Sequence, residues 1–343
     1  MADVVVVGAG IVGASIACHV ARLGADVTLV DKARPASGAT GESFGWIGAS
    51  ERGPGPGGAL RAAAVREYRR LEAEIPDVHV RWSGSLSWGG PEPAGDLEPG
   101  RHLVGAERIA ALEPNLRTPP ARAVHIPGDG AVDPRATTDA LIAAACDRGA
   151  RLVWGTAATA LRVVHGRVVG VETTGGLVDS DTVVLASGAD VSVLCGPLGV
   201  RVPVAPSPAI LLRLAGPPDL VRTVVATPRV EVRAGGDGEL LSPIAYAGES
   251  TAAELARSAE RGLARIASMF RGADDVRLLS ARVGMRPMPV DGHPVIGPLP
   301  TVRGAYVAAM HSGVTLAAVA GRLVAEEVVH GVDAPELRGC RPT

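Results

Sequence analysis

The amino-acid sequence predicts an α/β fold in which a mainly parallel sheet carries an inserted domain of antiparallel strands. A continuous β-branched run at residues 4–7 is typical of a buried parallel strand, and a glycine-rich turn, a helix and a second strand follow it. Two later regions, 78–131 and 201–280, are instead rich in Pro, Gly and alternating apolar residues. These observations favour a Rossmann-like domain, a parallel sheet plus a β-meander, with an inserted antiparallel-sheet domain.

The first βαβ unit carries a dinucleotide-binding pattern. Gly8 permits a tight turn after the strand, Gly10 lets a pyrophosphate approach the backbone, and Gly13 lets the helix pack against the strand. Ile11 and Val12 begin the helix, whose N-terminus offers free N–H groups and a positive dipole end to phosphates. The strand before and the helix after make this pattern much more specific than the glycines alone.

The second strand of the unit ends in an acidic residue. The first helix closes at Gly24 and a strand at 27–30 follows. Asp31 stands at the end of this strand, about 20 residues beyond the glycines, where a carboxylate accepts hydrogen bonds from ribose hydroxyls. The unit therefore predicts a bound dinucleotide, with Lys32 beside its ribose.

The downstream pattern continues the same domain and then divides the chain. It predicts a helix at 134–148 that begins after Asp133, short strands at 152–154 and across 160–172, a buried strand at 182–186, a strand at 304–310 and a final helix after it. We expect the nucleotide-binding domain to comprise residues 1–77, 132–200 and 281–343, and the substrate domain to comprise residues 78–131 and 201–280. The Gly/Pro segment at 53–58 is either a flexible link or a lid.

The composition limits the classes to which the chain can belong. Its 343 residues suggest about two domains, and 47% hydrophobic residues are ample for buried cores. The 34 basic and 36 acidic residues leave a formal net charge of −2, which argues against nucleic acid or an anionic membrane surface as a partner. Assembly into a homo- or hetero-oligomer stays open.

The sequence carries no signal for export, membrane insertion or metal binding. Its four cysteines lie far apart, without the Cys/His spacing of a zinc site, so we expect neither a metal nor disulfides. No apolar stretch approaches the roughly 18 residues of a membrane span. The N-terminus lacks a basic leader region, and Asp3 leads directly into the first strand. We therefore expect a cytoplasmic protein.

Five blocks of sequence, spread over nearly the whole chain, point to a known family. They are residues 4–13 with Asp31; 39–47 (ATGESFGWI); 183–190 (VVLASGAD); 284–287 (GMRP) with 291–297 (DGHPVIG); and 311–316 (HSGVTL). Together they resemble the D-amino-acid oxidase family of FAD-dependent amine oxidoreductases, which includes glycine oxidase and monomeric sarcosine oxidase. The last two blocks are much more specific than the glycine pattern, and a nicotinamide-dependent Rossmann enzyme is not expected to carry them.

The resemblance implies a non-covalently bound FAD. It assigns the ADP part to the first block, the ribityl chain and one side of the ring to the 39–47 loop, and the pyrimidine end of the flavin to the start of the last helix. The cofactor contacts that it implies are Gly8, Gly10, Ile11, Val12, Gly13, Asp31, Lys32, Thr40, Ser43, Phe44, Gly45, Trp46, Ala158, Ala186, Gly188, Arg286, His311, Gly313, Val314, Thr315 and Leu316. No cysteine lies near Arg286, where sarcosine oxidases attach their flavin, so we expect dissociable FAD.

Three side chains are candidates for catalysis. In amino-acid-oxidising members the arginine of the Arg-Pro pair holds the substrate carboxylate, which implies this role for Arg286; a guanidinium fork suits a planar carboxylate. The structural alternative is an arginine that bonds nearby carbonyls at a strand end. Trp46 is implied as a neighbour of flavin and substrate. His311 either tunes the flavin or is purely structural.

The implied reaction is the oxidation of a small amine or amino acid. Hydride passes from the carbon that bears the amine to flavin N5 and leaves an imine, and the electrons go on to O₂ or another acceptor. Such a step needs alignment more than acid–base groups, since the cofactor supplies the difficult chemistry. The sequence therefore needs no catalytic triad or carboxylate pair to support it.

Two departures from the family pattern leave alternatives open. Sarcosine-oxidase relatives use a lysine beside the flavin to help oxygen react, whereas the only lysine here is Lys32. Glycine oxidase has a pocket tyrosine in the strand that here reads Val230-Glu231-Val232, so the substrate need not be glycine. The alternatives are a FAD-dependent 2-hydroxy-acid or alcohol dehydrogenase with His311 as its base, and a non-catalytic flavoprotein subunit of a heteromeric amine dehydrogenase.

Overall fold

The structure is a computed structural model that describes residues 3–48, 55–90 and 97–342. Within these ranges the strands are β1 (Asp3–Val7), β2 (Asp26–Asp31), β3 (Trp46–Ile47), β4 (Ser85–Ser87), β5 (His102–Gly105), β6 (Arg122–Ile126), β7 (Gly130–Ala131), β8 (Arg151–Trp154), β9 (Ala158–Val164), β10 (Arg167–Thr173), β11 (Gly176–Asp179), β12 (Thr182–Leu185), β13 (Val204–Ala215), β14 (Val224–Ala226), β15 (Glu231–Ala234), β16 (Glu239–Ala245), β17 (Arg277–Pro289), β18 (Val295–Pro298) and β19 (Ala305–Ala309). The helices are α1 (Ile11–Arg22), α2 (Gly58–Glu74), α3 (Ala106–Leu112), α4 (Pro134–Cys146), α5 (Val191–Cys195), α6 (Ala252–Met269) and α7 (Gly313–His330). The Gly/Pro segment at 53–58 lies partly outside the described residues.

The central sheet has its strands in the order β18-β19-β12-β1-β2-β8. Neighbouring strands are parallel except for β18, which pairs antiparallel with β19. Val4 and Val6 of β1 pack into the cluster formed with α1, α4 and α7, whereas Val5 and Val7 face the cluster on the side of β9 and β10. Because both faces are covered, the strand is apolar throughout. The antiparallel strands β9, β10 and β11 form the meander, and the predicted Rossmann-like fold is confirmed.

A second sheet has the order β17-β13-β16-β15-β14-β4-β6-β5. It is antiparallel except between β14 and β4, which are parallel. This pair departs from the antiparallel pattern that the sequence predicts, because no hairpin joins these two distant strands and fixes their direction. The sheet combines strands from 78–131 and 201–280, but β17 crosses the predicted boundary at 281. The division into two domains stays a proposal.

A long helix, α6, lies in the region for which the sequence predicted only strands. Its start is a capping box, in which Thr251 Oγ1 accepts from the N–H of Glu254 and the Glu254 carboxylate accepts from the N–H of Thr251. A Cβ on Gly262 would lie 2.6 Å from Leu212 Cδ1, so the helix packs very closely on the sheet. The Thr-x-x-Glu pattern was the signal in the sequence that could have revealed this helix.

Close packing of α1 on α7 places both helix N-termini at one edge of the central sheet. Ser15 Oγ of α1 donates a 2.8 Å hydrogen bond to the Ala317 carbonyl of α7. A Cβ on Gly321 would lie only 2.1 Å from Ser15 Oγ, so this position of α7 has room for glycine alone. From α2, the buried Tyr68 hydroxyl donates to the Val314 carbonyl and fixes the first turn of α7.

Three further findings concern membranes, metals and thiols. In the ranges given above, no helix is both long and apolar enough to cross a membrane. The same residues contain no cluster of three or more His, Cys, Asp or Glu side chains that could hold a metal ion. All four cysteines are free, and three of them are buried.

Candidate cofactor and substrate cleft

A cleft of about 1010 Å³ lies between the carboxyl edge of the central sheet and the second sheet. Ligand sites in proteins commonly measure about 300–1,000 Å³, so this cleft suits a large ligand. One wall consists of the β1–α1 turn, the loop before β3, the end of β12 and the start of α7. Strands β13, β15, β16 and β17 form the opposite wall.

Glycine is required at each position of the first turn for a different structural reason. Gly8 has a φ of +110°, and a Cβ there would lie 2.4 Å from the Ala186 carbonyl oxygen. A Cβ on Gly13 would lie 1.8 Å from the Gly8 carbonyl oxygen, so Gly13 is needed for the contact between helix and strand. Gly10 lines the cleft beside Thr40 Oγ1. The turn is therefore open on its cleft side, where a Cβ would occupy the space of a ligand.

The end of β2 presents a fixed carboxylate to the cleft. Asp31 Oδ2 accepts from the N–H of Ala9 at 2.6 Å, and Oδ1 accepts from the N–H of Ala33 at 2.9 Å. Beside it, Lys32 forms an ion pair with Asp190 just beyond β12. Both side chains of this pair are more than half exposed, so solvent screens it and its contribution to stability is small.

The loop before β3 is held by a buried arginine that the sequence analysis did not single out. The Arg233 guanidinium on β15 donates to the carbonyls of Phe44, Val132 and Ala234. Burial lowers the pKa of Arg233 to about 10, and nearby carboxylates oppose this shift. Within the loop, Ser43 Oγ accepts from the N–H of Gly45 at 3.2 Å. Arg233 thus fixes the backbone of a cleft wall without lining the cleft.

The loop is also tied to α1 and α7. Thr40 Oγ1 accepts from the N–H of Ile11 at 3.1 Å, which caps the start of α1. Thr315 Oγ1 donates to the Trp46 carbonyl at 2.8 Å. The Trp46 indole N–H donates to Asp129 Oδ2 at 3.1 Å, so the ring is held in one orientation beside the cleft.

The start of α7 meets the cleft through His311, Gly313, Val314 and Thr315. Leu316 does not line it: its N–H donates to the Ser312 carbonyl at 3.0 Å and its side chain is buried in the core. The fourth residue of a helix completes the first intrahelical bond, so its N–H is not available to a ligand. Ser312 Oγ lies 3.3 Å from His311 Nδ1 and accepts from Arg61 Nη1 at 3.3 Å. Arg61, on α2, was not predicted but lines the cleft.

Arg286 lines the wall formed by the second sheet. It pairs with Ser207 of β13 in the strand register, and its Nη2 donates to Ser207 Oγ at 2.9 Å. Its Nε donates to the Ser207 carbonyl at 3.3 Å, as the structural alternative expects. Ser207 therefore fixes the guanidinium plane of an arginine that also faces the cleft.

Glu231 of β15 was not predicted as a site residue, although its strand was singled out. Its side chain lines the same wall of the cleft as Arg286. Burial raises the pKa of Glu231, and the positive charge of Arg286 acts in the opposite direction. A carboxyl group and a guanidinium group thus interact electrostatically within one cavity.

Most of the predicted cofactor contacts come together in this one cleft. The predicted residues that line it are Gly8, Gly10, Ile11, Val12, Asp31, Lys32, Thr40, Ser43, Phe44, Gly45, Trp46, Ala158, Ala186, Gly188, Arg286, His311, Gly313, Val314 and Thr315. Gly13 and Leu316 lie behind the surface of the cleft and contribute to packing. Between Ala186 and Gly188, the buried Ser187 hydroxyl has no hydrogen-bond partner among the residues that the structure describes, and Ser187 lines the cleft. An unsatisfied hydroxyl beside an open glycine turn fits a polar dinucleotide.

A family model described as FAD dependent oxidoreductase (DAO) matches residues 3–327. The chain belongs to this family. It is 30% identical over 352 residues to glycine oxidase of Geobacillus kaustophilus, an alignment that covers 95% of this chain and 92% of the relative. It is 31% identical over 289 residues to D-amino acid dehydrogenase of Cereibacter sphaeroides, covering 79% of this chain. That alignment spans only 61% of the dehydrogenase.

Solved structures of the family share the fold. Glycine oxidase from Geobacillus kaustophilus superposes with a TM-score of 0.86 and 24% identity over 100% of this chain and 99% of that chain. Iminodiacetate oxidase from Chelativorans sp. BNC1 superposes with a TM-score of 0.83 and 26% identity over 99% of each chain. The resemblance predicted from the sequence blocks is therefore confirmed at the level of family and fold.

Proposed function

We propose that this protein oxidises a small amine or amino acid with FAD bound non-covalently in the cleft. The observation that carries the proposal is that Arg286 lies in the same cavity as the glycine turn, Asp31 and the start of α7. A carboxylate-binding side chain and a dinucleotide cradle within one cavity suit an amino-acid substrate and a flavin coenzyme. When bound, FAD supplies the acceptor for a hydride from the carbon that bears the amine.

The residues present fit this coenzyme. The open turn at Gly10 and the N–H groups that begin α1 would hold the pyrophosphate, and Asp31 would hold a ribose. The Ser187 hydroxyl, which has no hydrogen-bond partner among the described residues, would supply a further polar contact. No residue of this set is a cysteine, which supports dissociable binding.

Arg286 would bind and orient the substrate carboxylate. Its contacts with Ser207 fix the guanidinium plane before a ligand arrives, which reduces the entropy lost on binding. The aromatic side chains of Phe44 and Trp46 and the thioether of Met285 also line the cleft and would exclude water from the reacting carbon. The chain thus contributes alignment and a partly apolar enclosure.

The start of α7 would stabilise negative charge in the cleft. Gly313 and Val314 line it, and the 18-residue helix behind them directs its positive dipole end there. Arg61 adds a formal positive charge near Ser312. The acceptor of the electrons would be O₂ or a further redox partner. We further propose that the protein is located in the cytoplasm.

Anaerobic mixing of the FAD-loaded protein with candidate substrates tests the proposal. The panel comprises L- and D-amino acids, N-methyl amino acids, cyclic imino acids and hydroxy acids, and the readout is loss of the flavin absorbance band. We expect bleaching by at least one amine. Protein that takes up no FAD would overturn the proposal. Bleaching by hydroxy acids alone would favour a 2-hydroxy-acid dehydrogenase, and no bleaching by any donor would favour an accessory subunit.

A further inference from the structure

Four acidic residues line the cleft, and three of them have partners. Asp31 accepts hydrogen bonds from two backbone N–H groups, Glu42 forms an ion pair with Arg135 at 2.8 Å, and Asp190 forms an ion pair with Lys32. The fourth is Glu231, whose carboxylate has neither a hydrogen bond nor an ion pair within the described part of the chain. Glu231 therefore differs from the other acids of the cleft in its lack of a partner.

The surroundings of Glu231 place it on the substrate side of the cleft. It lies on β15 in the second sheet, where the strands that carry Arg286 and Pro243 also line the cavity. The residues of the dinucleotide turn belong to the opposite wall. Burial raises the pKa of Glu231, while Arg286 favours its charged form without forming an ion pair with it in the described residues.

A half-buried carboxylate without a partner is costly, because burial removes part of its hydration without replacing it. An incoming cation would restore that interaction. The wall formed by the second sheet thus presents to the cleft one positive side chain, Arg286, and one negative side chain, Glu231, which has no partner within the described residues. A ligand that complements both carries a carboxylate and a separate positive charge.

We propose that Glu231 binds a positively charged group on the substrate's side chain, so that the substrate class is an amino acid with an ammonium or guanidinium side chain. This inference rests on the proposed function, because it assumes that the α-carboxylate lies on Arg286. The α-amine, by contrast, must lose its proton before its carbon is oxidised. A contact between Glu231 and the α-amine is therefore a different arrangement, and the experiment below separates the two.

The test compares two substrates that differ only in the distal charge. Ornithine and norvaline have the same carbon chain, but ornithine carries a terminal ammonium. Both enantiomers of each are mixed anaerobically with the FAD-loaded wild type, with Glu231→Gln, and with the control Glu260→Gln on the exposed face of α6. Glu231→Asp, which keeps the charge, tests whether a loss reflects charge or local folding.

We expect the wild type and Glu260→Gln to prefer ornithine over norvaline by roughly 10- to 100-fold in kcat/KM, the range of one hydrogen bond to a charged group. Glu231→Gln should lose this preference, and its kcat/KM for norvaline should stay within about threefold of the wild-type value. Glu231→Asp should retain part of the preference. Equal losses for both substrates in Glu231→Gln, or an unchanged ratio, would overturn the inference.

A binding measurement keeps this result separate from catalysis. Calorimetry with 5-aminopentanoate and pentanoate, which lack an α-amine, measures the effect of the distal charge alone. We expect the aminopentanoate to bind the wild type roughly 10-fold or more tightly than pentanoate, and Glu231→Gln to bind both alike. If no amino acid bleaches the flavin, the proposed function has failed, and this comparison alone decides the role of Glu231.

Discussion

Replacement of Arg233 by methionine tests whether the cleft wall depends on a residue that does not line the cleft. Arg233 is 4% exposed and donates to three carbonyls, those of Phe44, Val132 and Ala234. Methionine keeps much of the apolar stem but donates no hydrogen bond. The variant therefore removes the hydrogen-bond donor of these three carbonyls, and the loop before β3 loses its anchor.

The magnitude follows from two opposing contributions. Three hydrogen bonds from a charged donor, at about 2 kcal/mol each, stabilise the fold by roughly 6 kcal/mol. Burial of the guanidinium opposes this, because it lowers the pKa of Arg233 from 12.5 to about 10, and each pKa unit is about 1.36 kcal/mol. This burial costs about 3 kcal/mol, and the cost is absent in the variant because methionine carries no charge. We therefore expect Arg233→Met to lose about 3 kcal/mol of unfolding free energy.

Urea unfolding, with and without added FAD, measures this change, and a titration of the apoprotein measures FAD affinity. We expect weaker FAD binding in Arg233→Met, because Phe44 and Gly45 lose their anchor. Arg233→Lys should recover part of the stability, since an ammonium can still donate to some of the carbonyls. The exposed Arg265→Met on α6 is the matched control and should unfold like the wild type. A change below about 0.5 kcal/mol with unaltered FAD affinity would refute the reasoning.

Three further predictions concern the substrate, the first turn and pH. Arg286→Lys should raise the KM for carboxylate substrates at least roughly 30-fold through loss of the planar fork, with normal flavin content; steady-state kinetics on the loaded enzyme would contradict this if kcat/KM stayed the same. Gly13→Ala should destabilise the protein severely, because the Cβ would lie 1.8 Å from the Gly8 carbonyl oxygen; a melting temperature equal to that of the wild type would show that the contact can relax. Burial lowers the pKa of His19 from 6.5 to about 4, so the neutral form stabilises the fold fully above pH 6.5 and this contribution is lost as pH falls toward 4. Between pH 7 and pH 5 it should cost about 2 kcal/mol, measured as the difference between the wild type and His19→Leu in urea unfolding; parallel pH profiles for the two proteins would argue against it.

Short stretches of sequence were sufficient to predict the elements of the central domain. The apolar run of β1, the glycines at 8, 10 and 13 and the acid at 31 lie within a single βαβ unit, and the structure has that unit. Thr251 and Glu254 encode the start of α6 in the same local way, although the flanking segments have strand patterns. Local patterns of this kind fix elements because propensity, capping and periodicity act between near neighbours.

The cleft itself depends on contacts between residues that are distant in the chain. Arg233 reaches Phe44 across 189 residues, and Arg61 reaches Ser312 across 251. Among the described residues, the Ser187 hydroxyl and the Glu231 carboxylate line the cleft without a hydrogen-bond or ion-pair partner. No spacing in the sequence encodes such features, so these residues could not be selected before the fold was known.

By itself, then, the sequence determined the family, the parallel sheet and most of the residues that line one cavity. The tertiary structure decided which side chains hold that cavity in shape, that Leu316 belongs to the core, and that a carboxylate faces the cleft alongside Arg286. The physical reason is that hydrogen-bond satisfaction and burial are properties of packed surfaces. They arise only when segments hundreds of residues apart are brought together.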